Sequence, residues 1–370
     1  MKKLASALSI LLCVLFLICS CSDIGTQNTA TLHSPEDSGY IPRYSTLEPS
    51  TLSTEPASNT EVSTSPDETP ASTPETSETP AVVTPDPTPT APPTPSTPTY
   101  IDLPKPGFIT EQAFVYDVNR GCFLYLSGEE TPIYPASTTK LLTILYARTL
   151  LPLDLVVTPG NELEMVGENS SLAYIRADSG HKLTVEQLIE GMLLPSGNDA
   201  AHVLAAAGGK ALDPSITDGK EAVARFMEGM NRYAKQLGLV GSNFVTPDGY
   251  DRDGHITTLE DMAIVAREAY KDPIIRKYSA TVVDEVIYAS GHRMTWKNTN
   301  QLINPDSAYY APEVNGLKTG TKETNVYYCL IASAEIEGDA YLFGFYGSSE
   351  SKDRFLDTIT AINWIKTYLY

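Results

Sequence analysis

Three short clusters of polar residues could carry chemistry. Ser137-Thr138-Thr139-Lys140 follows Pro135 at the start of a predicted helix. Three residues apart, Ser137 and Lys140 share one helix face, which sets a hydroxyl nucleophile beside an amine base. A lysine in the first helical turn feels the positive end of the dipole, and burial adds desolvation. Both disfavour its ammonium form, lower its pKa and let it take a proton near neutrality. Ser196-Gly197-Asn198 lies in a predicted loop between helices, where Ser196 offers a hydroxyl for proton relay and Asn198 an amide to hold a substrate carbonyl. Lys318-Thr319-Gly320 leads into a strand-rich stretch. A sheet-edge strand with a charge and a hydroxyl suits an anionic substrate, and glycine lets the backbone come close. Alone, each cluster also reads as ordinary structure: a cap with a solvated lysine, a helix-breaking turn, an exposed strand lysine. All three in this order are far more specific.

These residues need a scaffold, and the pattern around them supplies one. Apolar runs at 113–116 and 122–126 flank Asp117-Val118-Asn119-Arg120-Gly121, which reads as a hairpin. A helix is predicted from about Ser137 to Leu150, with Leu141, Leu142, Ile144, Leu145 and Leu150 as its buried positions. Thr184 with Gln187 three residues on forms a capping box for a helix to about Leu194. Helical composition resumes over 199–207, 220–237 and 259–270; residues 281–300 and 314–347 are rich in Val, Tyr, Thr and Ile with turns between; an amphipathic helix closes the chain at about 352–368. Strands at both ends and helices in the middle predict an α+β fold: an antiparallel sheet flanked by helices, with a mainly helical insert.

With the order of the three clusters on the page, residues 108–368 resemble the serine penicillin-recognising enzymes, whose signatures are Ser-x-x-Lys, Ser-x-Asn and Lys-Thr-Gly. Within that group the chain is similar to the D-alanyl-D-alanine carboxypeptidases of the low-molecular-weight penicillin-binding type, peptidase family S11. The supporting residues are Pro135 to Lys140, Leu194 to Ala200, Met230-Asn231 with Ala234 and Leu237 to Leu239, Asn243-Phe244 with Pro247 to Tyr250, Thr258 with Asp261 to Ala263, and Gly316 to Gly320. The resemblance implies a β-lactamase/transpeptidase-like fold, no cofactor, and an acyl-enzyme on Ser137 formed from a peptidoglycan stem peptide or a β-lactam. In its terms Lys140 is the base, Ser196 a proton relay and Asn198 a substrate-positioning amide. Lys318, Thr319 and Gly320 border the substrate carboxylate, the backbone amides of Ser137 and Thr321 hold the oxyanion, and Arg354 lies near the carboxylate or on the surface of the last helix. The sequence departs from the family after Gly320: Thr321-Lys322-Glu323-Thr324-Asn325-Val326 replaces the usual small Ala-Gly pair. The chain also stops soon after its last helix, so the resemblance implies no further β-rich domain and no C-terminal anchor.

Two alternatives stay open: a class A-like β-lactamase and a penicillin-binding sensor with poor turnover. The first needs a Glu with an Asn four residues on, and the fourth residue after Glu228 is Arg232. A metal-dependent D,D-peptidase is disfavoured, because His33, His181, His202, His255 and His292 form no His-x-x-x-His pair. His255 and His292 read as turn residues.

The rest of the chain speaks to location. Lys2 and Lys3, the apolar stretch Leu4–Ile18 and a small residue before Cys21 form a secretory signal over 1–21. Ile18-Cys19-Ser20-Cys21 resembles a bacterial lipobox with Cys21 as the lipidated residue; a plain cleaved signal and an uncleaved anchor are the alternatives. Residues 22–104 hold most of the 27 prolines among Thr, Ser and Glu, and bury too little to offset ordering entropy, so they read as a disordered tether between anchor and domain. The catalytic domain is expected over 105–370, on the outer face of a bacterial cytoplasmic membrane. The net charge of −20 argues against nucleic acid as a partner, since phosphate binding needs clustered Lys and Arg. Cys122 and Cys329 are the two cysteines beyond the signal, with no disulfide framework or metal spacing.

Overall fold

The computed structural model describes residues 99–127, 131–322 and 326–370; the signal, Cys21 and the tether up to residue 98 lie outside them. The chain opens with β1 (Gln112–Asp117) and β2 (Cys122–Leu126). A 3-10 turn at Ala136–Thr138 runs into α1 (Thr139–Arg148). A two-residue ladder of β3 (Val156–Val157) and β4 (Leu183–Thr184) follows, then α2 (Val185–Leu193), α3 (Asn198–Leu212), α4 (Gly219–Leu237), α5 (Leu259–Lys271) and α6 (Pro273–Ser279). After a separate hairpin of β5 (Val283–Ile287) and β6 (Arg293–Lys297) come β7 (Val314–Lys322), β8 (Tyr327–Ile336), β9 (Asp339–Ser348) and α7 (Asp353–Leu369).

Local chemistry accounts for most boundaries. In the β1–β2 turn, Asp117 accepts the Arg120 amide at 2.8 Å and pairs with its guanidinium at 2.7 Å, while Gly121 takes the left-handed position at φ +70°. The Thr184–Gln187 capping box forms in both directions, at 3.0 and 3.1 Å. Asp272 caps α6 through the amides of Ile274 and Ile275, and Pro273 lacks the amide that would have continued α5, so two helices stand here.

The five long strands form one antiparallel sheet in the order β2-β1-β9-β8-β7. Both faces are covered. Ala113, Val115, Leu330, Ala332, Phe343 and Phe345 pack with Phe355, Ile362, Trp364 and Ile365 of α7, while Phe114, Ile331 and Leu342 belong to the core shared with the helices between β2 and β7. Two-sided burial is why runs such as Leu330-Ile331-Ala332 show no polar alternation. Residues 99–101 extend alongside β2, where Thr99 and Ile101 exchange hydrogen bonds with Phe123. Strand β7 is the free edge of this sheet and faces the start of α1. Among the described residues no helix is long and apolar enough to cross a membrane.

Candidate active site

Ser137 stands on a tightly folded turn. Pro135 opens it, Thr138 Oγ1 donates back to the Pro135 carbonyl at 2.6 Å, and Ala136 holds φ +46°, a conformation that costs an L-residue free energy and must be enforced by its surroundings. One enforcing neighbour is Gly249 at φ +81°, where an added Cβ would lie 1.8 Å from the Ala136 carbonyl oxygen. The turn presents Ser137 to a cavity of about 130 Å³ bounded also by Ser170, Ser171, Ser196, Asn198, Thr299, Thr319, Gly320, Thr321 and Arg354.

Lys140, in the first turn of α1, is wholly buried. Its Nζ donates to Ser137 Oγ at 2.8 Å, Asn198 Oδ1 at 2.7 Å and the Asp248 carbonyl at 2.8 Å. Burial pushes its pKa down to about 8, against the opposing charges of Asp248 and Asp199. The three partners decide what happens when the proton leaves. An amide oxygen and a carbonyl only accept, so the two remaining hydrogens stay on Asn198 and Asp248. Ser137 is the one partner that can reverse its bond and donate to the amine lone pair.

Asn198 begins α3, and its Nδ2 meets Ser170 Oγ at 2.9 Å. The segment carrying Ser170 and Ser171 is clamped by Asp199, which accepts the amides of Ala173 and Ile175 at 2.8 Å each, and by Trp296 Nε1, which donates to the Ala173 carbonyl at 3.1 Å. Gly197 permits this approach, because a Cβ there would fall 2.7 Å from that of Ala173. Ser196 holds φ +63° and lines the cavity, whereas all three Lys140 hydrogens go elsewhere.

The opposite wall is β7. A Cβ at Gly320 would sit 3.2 Å from the Ser137 amide nitrogen and 2.4 Å from Cys329 Sγ, so glycine lets the strand lie against the Ser137 backbone. Thr319 Oγ1 shares a 2.5 Å hydrogen bond with Thr299 Oγ1, and Thr321 is exposed at the rim. Lys318 is not the exposed strand lysine of the ordinary reading: it is 1 % exposed and its Nζ donates to the Thr319 carbonyl at 3.0 Å. Burial, then the charges of Lys140 and Arg354, hold its pKa well below the ordinary lysine range. Arg354 is buried, not on the surface of α7. Its Nη1 donates to the carbonyls of Gly320 at 2.7 Å and Cys329 at 3.0 Å, pinning β7 and β8 to the helix while it borders the cavity. Burial lowers it to about 10.

The site thus gathers Ser137, Lys140, Ser196, Asn198, Thr319, Gly320, Thr321 and Arg354 around one space, with Lys318 adjoining Thr319 on β7. Ser170, Ser171, Thr299, Tyr250 and Asp251 join them without having been singled out by chemistry. Only Tyr250 carried a signal, as part of the Pro247–Tyr250 run. Asp251 is bound to Lys322, whose ammonium also lies over the Tyr134 ring. His255 occupies a turn, but its ring is buried: Nδ1 accepts from the Val245 amide at 3.1 Å, leaving Nε2 to donate to Thr139 Oγ1 at 3.0 Å. Burial drops its pKa to about 4 and so keeps it neutral. Cys122 and Cys329 are unpaired thiols packed in different cores.

Fold and site together have the β-lactamase/transpeptidase-like arrangement, an antiparallel sheet flanked by helices with a serine and a buried lysine between them. The crystal structure of the Streptomyces K15 DD-transpeptidase superposes with a TM-score of 0.62 at 28% identity, over 72% of this chain and all of that one. Penicillin-binding protein D2 of Listeria monocytogenes, in an ampicillin-bound form, gives 0.56 at 25% identity over 70% of this chain and 99% of that one. The D-alanyl-D-alanine carboxypeptidase profile, peptidase S11, matches residues 103–342, and the chain belongs to that family. DacF of Bacillus subtilis, a D-alanyl-D-alanine carboxypeptidase, is 31% identical over 66% of this chain and 59% of its own length. The Streptomyces K15 D-alanyl-D-alanine carboxypeptidase is 30% identical over 70% of this chain and 88% of its own. The chain thus spans about three fifths of one curated relative and most of the other.

Proposed function

We propose that the chain is a serine-type D-Ala-D-Ala carboxypeptidase that trims the terminal D-alanine from peptidoglycan stem pentapeptides and is acylated by β-lactams. The observation that carries this reading is the Lys140 environment, in which Ser137 alone of three partners can donate to the deprotonated amine. Ser137 Oγ attacks the carbonyl of the penultimate D-alanine while its proton passes to Lys140. The amides of Ser137 and Thr321, kept close by Gly320, receive the oxyanion; losing one such donor typically costs about a hundredfold or more in rate. The C–N bond then breaks, and the proton reaches the leaving D-alanine amine by way of Ser196. Asn198 positions the substrate amide. The terminal carboxylate meets the Thr299 and Thr319 hydroxyls, with Lys318 and Arg354 beside it. Water hydrolyses the ester and returns Ser137.

The test is intact mass of the full chain after benzylpenicillin, beside Ser137→Ala, with D-alanine release from a diacyl-Lys-D-Ala-D-Ala peptide followed in parallel. A penicilloyl adduct absent from the variant, with D-alanine release, supports the carboxypeptidase. An adduct without release favours a sensor, rapid penicillin hydrolysis a β-lactamase, and transfer to an added amine a transpeptidase. No adduct at all removes the assignment.

We further propose that Cys21 is lipidated and that residues 22–104 tether the domain to the outer face of the cytoplasmic membrane. The signal-like residues 1–21 and the Pro/Thr/Ser/Glu composition that follows support this. Globomycin-sensitive processing and membrane fractionation, both lost in Cys21→Ala, are the expected results; soluble export of unaltered protein would refute it.

A further inference from the structure

The buried polar groups behind Lys140 have no part in the mechanism above. Asp248 contributes its carbonyl to Lys140, and its side chain is wholly buried. Asp248 Oδ1 accepts the Tyr250 amide at 2.9 Å, while Oδ2 lies 3.3 Å from Nε2 of His202, itself 2 % exposed on α3 one turn beyond Asn198. That approach is outside hydrogen-bonding geometry, and neither Asp248 Oδ2 nor His202 Nδ1 has a hydrogen-bonding partner. The carboxylate, with the Tyr250 amide on one oxygen, and the imidazole thus face one another at 3.3 Å in a buried place, where each is the nearest polar side chain the other has to offset burial.

We propose that Asp248 and His202 are a positioning pair for the base: Asp248 orients the Lys140 amine and sets its proton affinity through its charge, and His202 keeps that carboxylate ionised. This rests on the reading of Lys140 as the base for Ser137. The other charges around Lys140 are Asp199 on α3, Lys318 on β7 with Arg354 of α7 behind it, and Asp251 near the cavity; His255 is held neutral. Asp199 is saturated by the amides of Ala173, Ile175 and Ala200. Asp248, with one amide on its carboxylate, depends on His202. Burial alone would raise the Asp248 carboxyl; His202, and after it Lys140, outweigh burial and hold it well below the usual range.

The sign follows. The Asp248 charge favours the Lys140 ammonium, so removing it lowers the Lys140 pKa and makes the free amine available at lower pH. Without His202, burial drives Asp248 to take up a proton, which removes the same charge. Asp248→Asn keeps the backbone carbonyl and the side-chain shape. His202→Gln keeps a polar side chain of similar reach.

The experiment measures the second-order rate of benzylpenicillin acylation by the full chain from pH 5 to 10. In Asp248→Asn the acid limb moves down by about one pH unit, so the rate at pH 6, relative to each protein's own plateau, rises about tenfold. His202→Gln moves the limb the same way, and the double variant moves it no further than either single one. An unmoved limb in folded Asp248→Asn, whatever the plateau, overturns the proposal, as do additive shifts or shifts of opposite sign in the two variants. If His202→Gln does not fold, Asp248→Asn decides alone. Failure of the wild-type chain to acylate overturns the carboxypeptidase reading instead, so the two failures are distinct.

Discussion

Asn198→Asp places a carboxylate where an amide oxygen now accepts from Lys140 at 2.7 Å. The side chains are nearly isosteric, so the perturbation is almost purely one of charge. Lys140 has a pKa near 8 because burial outweighs two nearby carboxylates. At pH 7 such an amine is neutral in about one molecule in ten. A third carboxylate in direct contact raises a lysine pKa by about one to two units, which leaves about one molecule in a hundred to one in a thousand competent as a base. Acylation by benzylpenicillin at pH 7 is therefore expected to fall about ten- to a hundredfold. Much of the loss returns near pH 10, because the ammonium is still titratable there. Stopped-flow or quenched mass-spectrometric acylation rates over pH 6 to 10 read this directly. A uniform loss at every pH, with the acid limb unmoved, would refute the reasoning and make Asn198 important through shape or substrate contact rather than through the charge on Lys140.

Three further outcomes follow from the geometry. Lys140→Met removes a buried amine whose pKa is lower in the folded chain than in the unfolded one. The unfolded chain binds more protons between about pH 8 and 10.5, so wild-type stability rises with pH across that window, by roughly 3 kcal/mol from this residue. Urea unfolding should show that slope reduced in the variant, which does not acylate. Gly249→Ala forces a Cβ to 1.8 Å from the Ala136 carbonyl at a positive φ, and a drop in thermal midpoint equivalent to about 1–3 kcal/mol, with slowed acylation, is expected by calorimetry and penicillin labelling. Asp199→Asn turns an amide NH2 toward backbone donors that now bind a carboxylate; chemical denaturation should show a loss of about 1–3 kcal/mol, with the segment around Ser170 becoming protease-sensitive.

What was legible in the sequence is what neighbouring residues decide among themselves. The Asp117–Gly121 turn, the Thr184–Gln187 capping box and the Ser137–Lys140 spacing each close within one turn of chain, and each stands as read. Contacts between distant segments were not legible. Lys318 was singled out from its motif, but its burial shows only once β7 is packed against α1 and Arg354 pins the strand from α7. Ser170 and Ser171 enter the cavity because Asp199 and Trp296 clamp the backbone just after them. His202 looks like any helical histidine until Asp248 arrives beside it. The end of α5 falls where the sequence places it, near 270, but α6 was not read, because seven residues are too few for an apolar period to show.

The two unpaired thiols among the described residues, Cys122 and Cys329, make the folded domain its own clock for opening. Burial pushes the Cys329 thiol up to about 12 and raises that of Cys122, so neither offers a thiolate to an alkylating reagent while its core is closed. Cys122 reports the core facing α7, and Cys329 the core beneath the turn that carries Ser137. Iodoacetamide labelling at each site, timed separately, measures how often each side of the sheet breathes, and whether an acyl group on Ser137 quietens one side without the other.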